Sequence, residues 1–78
     1  MHETTLAVLK QNEAATVAAL HGGSAFQHRL RSMGLKEGKV LHVVAKHPLS
    51  GPMVVEIERR QITIGRGMAH KIAVMRRS

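Results

Sequence analysis

The chain has 78 residues, no cysteine, twelve Lys and Arg against five acids (all Glu), and a formal charge of +7. That length holds one domain, 1–78, burying about 60–65% of the surface its unfolded form exposes; the missing thiols exclude disulfides and thiolate metal centres. With one Phe and no Tyr or Trp, base-stacking platforms and proline-peptide grooves lack the exposed rings they need.

The first predicted element is a short helical turn over Thr4–Lys10, with a threonine cap and the Leu6/Leu9 spacing. Gln11-Asn12-Glu13 reads as a turn in which Asn12 can take a left-handed conformation. Ala14–Leu20 is small, apolar and partly β-branched, the first strand. His21-Gly22-Gly23 ends it. In Ser24-Ala25-Phe26-Gln27 the serine and glutamine have capping-box spacing. Phe26, Leu30 and Met33 then recur at i, i+4 and i+7, an apolar helical stripe. Gly34 stands where a left-handed helix terminus is wanted, and Leu35 is placed to fold back under the helix end.

Lys36-Glu37-Gly38 is a turn before a strand over Lys39–Lys46, with Leu41, Val43 and Ala45 on the core face. His47-Pro48-Leu49-Ser50-Gly51-Pro52 is a loop. Met53–Arg59 alternates Met53, Val55 and Ile57 with Val54, Glu56 and Glu58, the period of a half-buried strand. Arg59-Arg60 reverses the chain into a strand over Gln61–Ile64. Gly65-Arg66-Gly67 is irregular, Met68–His70 forms one helical turn, and Ile72–Val74 is a last strand before the basic tail Met75–Ser78. Five short strands with one inserted helix predict a mainly β fold, a small barrel.

The sequence carries few marks of chemistry. The six histidines, His2, His21, His28, His42, His47 and His70, include no i, i+4 pair, and a transition-metal site needs three or four converging ligands; no metal or cofactor is expected. His21-Gly22-Gly23-Ser24 lacks an acid to orient a catalytic pair, and Gly65-Arg66-Gly67 lacks the third glycine of a dinucleotide turn. No catalysis is expected. The N-terminus lacks a basic segment followed by an apolar one, and no apolar run approaches the roughly 20 residues that span a bilayer. The expected location is cytoplasmic, without membrane insertion.

Arg29-Leu30-Arg31-Ser32-Met33-Gly34-Leu35-Lys36-Glu37-Gly38, then Pro48-Leu49-Ser50-Gly51-Pro52, then Ala69-His70-Lys71-Ile72-Ala73-Val74 resemble, in order and spacing, the FeoA family of bacterial ferrous iron uptake. Asn12 stands where that family usually has Gly, and Gly65-Arg66-Gly67-Met68 replaces its charged, helix-forming residues. The resemblance covers nearly the whole chain. It implies an SH3-like barrel and a non-enzymatic accessory protein that binds the cytoplasmic region of the FeoB iron permease and modulates transport.

Exposed apolar residues rimmed by charge mark interaction sites. The expected partner surface therefore joins Pro48 and Leu49 to Met33 and Leu35 at the helix end, with Arg29, Arg31 and Lys36 steering an acidic partner. The alternative is a basic small-barrel module that binds nucleic acid through phosphate contacts, marked by a steep loss of affinity with salt. Self-association is left open by the sequence.

Overall fold

The computed structural model describes residues 3–77; Met1, His2 and Ser78, hence one histidine and the end of the basic tail, lie outside them. Six strands follow in chain order: β1 (Glu3–Thr5), β2 (Ala14–Leu20), β3 (Val40–Lys46), β4 (Met53–Ile57), β5 (Arg60–Ile64) and β6 (Ile72–Arg76). They form one antiparallel sheet in the order β1-β6-β2-β3-β4-β5. Helix α1 (Ser24–Ser32) enters between β2 and β3, helix α2 (Arg66–Ala69) between β5 and β6, and a 3-10 turn over Leu6–Val8 follows β1. The expected mainly β class with one inserted helix is observed, with a sixth strand added at the N-terminus. There Thr4 and Thr5 pair with Val74 and Ala73, as suits β-branched residues. The Leu6/Leu9 spacing is realised as a single turn, and Thr5 makes no side-chain cap.

Period-two burial builds the core. Ala15 and Val17 of β2, Leu41 and Val43 of β3, and Met53, Val55 and Ile57 of β4 all point inward. Leu6 and Leu9 beyond β1 and Ile64 of β5 join the same cluster, and α2 packs against the 3-10 turn. The sheet thus wraps around one core, while its edge strands β1 and β5 stay unpaired with each other.

The register of β3 slips once. Val43 pairs with Val55 but Ala45 pairs with Val54 and Lys46 with Met53, which leaves Val44 as a bulge. A bulge exchanges the faces of every residue beyond it. Ala45, expected on the core face, turns outward, and Lys46 turns inward opposite Met53. Its ammonium donates to the carbonyls of Ala7 (3.0 Å) and Leu9 (2.8 Å). These are carbonyls at the end of the 3-10 turn that helical bonding leaves free.

At α1 the capping box does not form. Gly23, not Ser24, is the N-cap, without a side-chain bond, because the extended backbone (ψ 164°) lies one residue earlier than the Ser24/Gln27 spacing assumes. Gln27 instead donates from Nε2 to the Gly22 carbonyl at 2.9 Å. The other end follows the sequence. Gly34 takes φ 98°, its N–H donates to Arg31 and that of Leu35 to Leu30, both at 3.0 Å, the paired bonds of a Schellman terminus. That motif drives Leu35 under Leu30, and both are fully buried. Phe26, the first residue of the apolar stripe, is only half-buried.

Strand boundaries shift modestly. The second reversal falls on Glu58-Arg59, both at positive φ, so β4 ends at Ile57 and Arg60 pairs with it. Helix α2 begins at Arg66, and β6 runs to Arg76 because Met75 and Arg76 pair with β2.

Leu30 is the one fully buried residue of α1, so Leu30→Ala is expected to destabilise the fold by about 2–4 kcal/mol. Urea denaturation checks this; an unchanged midpoint would show that α1 is not anchored through Leu30.

Candidate functional site

The β3–β4 connection is an exposed segment restrained at its base by hydrogen bonds. The Gly51 N–H donates to the Pro48 carbonyl at 3.1 Å, and that of His47 to Pro52 at 3.1 Å. Between them Leu49 and Ser50 have φ of 58° and 60°, a tight turn of the type that ordinarily takes Asn-Gly. A left-handed L-residue costs about 1–2 kcal/mol. Leu49 gains nothing from packing in return, because it is 99% exposed.

Three features lock the base of this turn. Arg66, the first residue of α2, donates from Nε to the Gly51 carbonyl (3.1 Å) and from Nη2 to the His47 carbonyl (2.8 Å). Gly51 is tightly enclosed: a Cβ there would lie 2.9 Å from the His47 Cβ and 3.1 Å from the Pro48 oxygen. Pro48 and Pro52 restrict φ on either side. The result is a large apolar side chain held in water on a rigid support.

The remaining partner-surface residues fall elsewhere. Leu35 is fully buried by the Schellman terminus and presents no surface, a correction to its expected place there. Met33 is half-buried against the core. Arg29 and Lys36 are exposed. Arg31 is engaged: it pairs with Glu37 at 2.7 Å and donates to Gln27 at 3.3 Å. The helix end leads into the start of β3, whereas the Leu49 turn leaves its far end. Seven residues of strand span about 20 Å at roughly 3.3 Å per residue, so β3 holds the two segments apart. Arg66 was not singled out in the sequence; its only mark was a cation between two glycines.

Three acids are consumed by ion pairs. Hydrogen bonds from Arg31 and Lys39 hold the Glu37 and Glu58 carboxyls below their ordinary range. Glu13 is lowered first by the Lys10 backbone N–H and then by Arg76 at 2.8 Å, with slight burial opposing. Among the described residues no three His, Asp or Glu side chains gather as a metal site would require. His42 faces Glu56 across β3 and β4, beside a shallow concavity that Asn12 also lines. The Phe26 ring is covered by the Lys71 ammonium, 5.1 Å from its centroid. No helix among the described residues is long and apolar enough to cross a membrane.

Residues 4–76 match the FeoA domain family. The chain is 36% identical over 69 residues to the Fe(2+) transport protein A of Methanocaldococcus jannaschii, covering 88% of this chain and 82% of the relative. The crystal structure of an iron uptake regulatory protein, FeoA, superposes with a TM-score of 0.90 at 26% identity, over 97% of this chain and 100% of that one. The zinc complex of FeoA from Stenotrophomonas maltophilia, described as a procaryotic SH3 domain protein, superposes at 0.78 with 27% identity, over 91% and 88% of the two chains.

Two outcomes follow from this geometry. Leu49→Gly removes the left-handed penalty of about 1–2 kcal/mol and adds about 0.5–1 kcal/mol of chain entropy to the unfolded state. The variant is expected to be more stable by about 0.5–1 kcal/mol in urea denaturation; a loss would mean that the leucine side chain packs. The three lowered carboxyls contribute stability that is present above the ordinary carboxylate value of 4.5 and fades as pH falls through their lower folded values. Thermal melts are expected to drop below pH 4.5 and to drop less steeply in Glu13→Gln.

Proposed function

The chain belongs to the FeoA family, and on that premise we propose that it is a non-enzymatic accessory protein of ferrous iron transport that docks on the cytoplasmic region of a FeoB-type permease. The Leu49 turn carries this reading. Backbone strain clusters at functional sites, and here it displays a large apolar side chain that has no packing return. The turn is restrained before binding, so less entropy is lost when it docks. Burying one leucine contributes about 1.5–3 kcal/mol, enough to set the lifetime of a regulatory complex. The relatives support the setting: one is named for Fe(2+) transport, and for the Stenotrophomonas protein a role as a ferrous iron transport activating factor has been raised. Such a partner puts the chain at the inner face of the membrane. Met33, Arg29 and Lys36 lie at the other end of β3 and serve a second contact or steering.

Leu49→Asp tests the proposal against the purified cytoplasmic region of the permease. Binding is expected to weaken at least about tenfold, the equivalent of 1.4 kcal/mol, with an unchanged thermal melt. Binding that survives the substitution moves the interface away from the turn. A wild-type affinity that collapses between low and moderate salt, shared with duplex DNA as competitor, would instead favour the phosphate-binding alternative.

A further inference from the structure

Strand β5 ends the sheet, and its outer edge carries one protective charge, Arg60, at the first position. It has no proline and no charge between Arg60 and Ile64, and its five residues pair with β4 without a register shift. The other edge, β1, is only three residues long and includes Glu3. Native sheets blunt exposed edges by shortness, charge, proline or bulges, so the regular, uncharged stretch Gln61–Ile64 is open to pairing with another strand.

The register identifies which groups it offers. Ile57 and Arg60 flank the two-residue turn Glu58-Arg59 and form the hydrogen-bonded pair that closes such a hairpin. Antiparallel pairing alternates, so Ile62 and Ile64 bond to β4 while the N–H and C=O of Gln61 and Thr63 point away from it. Both residues are exposed. Ile62 shares the inner face with Val55 yet is only half-buried against the core, leaving apolar surface beside the free edge. At the start of the strand Arg59 and Arg60 are exposed, and neither forms an ion pair among the described residues.

We propose that the outer edge of β5 is a strand-addition site for an extended segment of a partner protein, with alternating apolar residues and an acidic C-terminal end. The hydrogen bonds come from Gln61 and Thr63. Alternate apolar side chains of the incoming strand cover Ile62. Antiparallel to β5, its C-terminal end lies beside Arg59 and Arg60, which sets the position of the acids. A second copy of this chain is disfavoured by the charge of +7. This inference is independent of the Leu49 turn and goes beyond the docking reading above.

The probe is a seven-residue peptide alternating threonine and valine and ending in two glutamates, added to the uniformly 15N-labelled full chain. The amides of Gln61 and Thr63 are expected to slow in hydrogen exchange at least tenfold at saturation, while those of Ile62 and Ile64 are unchanged. The same peptide N-methylated on its pairing edge is expected not to bind. Arg59→Glu/Arg60→Glu, which alters exposed side chains alone, is expected to weaken binding at least tenfold. Absence of binding at millimolar peptide, equal binding of the N-methylated form, or protection that maps to the Leu49 turn without Gln61 and Thr63 would each overturn the proposal.

Discussion

One register slip in β3 organises this molecule. With regular pairing throughout, Lys46 would face outward and Ala45 inward. The bulge at Val44 reverses them, and the half-buried ammonium on the inner face gains from oxygen partners, since desolvating an unpaired charge is costly. It finds the Ala7 and Leu9 carbonyls, whose own helical partners are missing because the 3-10 turn ends there. Each group thus satisfies the other, and the bond ties the segment after β1 to the end of β3, far apart in sequence. Leu6 and Leu9 then enter the core, and a sheet whose edge strands never pair is still drawn around one apolar interior.

The same end of β3 carries the constrained turn. Lys46 is the last residue of the strand, and the turn begins at its neighbour. Arg66 reaches across from α2 to fix the two carbonyls at the base, so the bulge, the 3-10 turn, α2 and the Leu49 turn form one connected region. The opposite end of β3 is held differently, by the Schellman terminus of α1 and the Lys39–Glu58 pair at 2.8 Å. Both ends carry a positive-φ turn, Glu58-Arg59 there and Leu49-Ser50 here; what sets this end apart is the large apolar side chain exposed on its turn.

Local chemistry made much of this legible in the sequence. The alternation of Met53, Val55 and Ile57, the Phe26/Leu30/Met33 spacing and Gly34 each express a single rule, and strands, helix and terminus appeared where those rules put them. Asn12 took the left-handed backbone (φ 73°) that its turn requires. The departures arose where two rules compete. Thr4 and Thr5 serve equally as cap and as strand, and only the partner β6 decides. Leu35 followed its helix-terminal role, which removed it from the partner surface also expected of it. The bulge has no local mark in Val43-Val44-Ala45, so the inward turn of Lys46 was not readable. Arg66 was invisible for the same reason: its carbonyl partners are 15 and 19 positions away in sequence.

If the turn presents Leu49 to a partner, Leu49 is held in its left-handed conformation before any partner arrives. Backbone 15N relaxation of the free protein measures this directly, with the three-bond HN–Hα coupling reporting φ. Order parameters of about 0.85 are expected for Leu49 and Ser50, those of a rigid backbone, together with couplings that match positive φ. Order parameters below about 0.6 at these residues, or couplings averaged over the extended region, would contradict it.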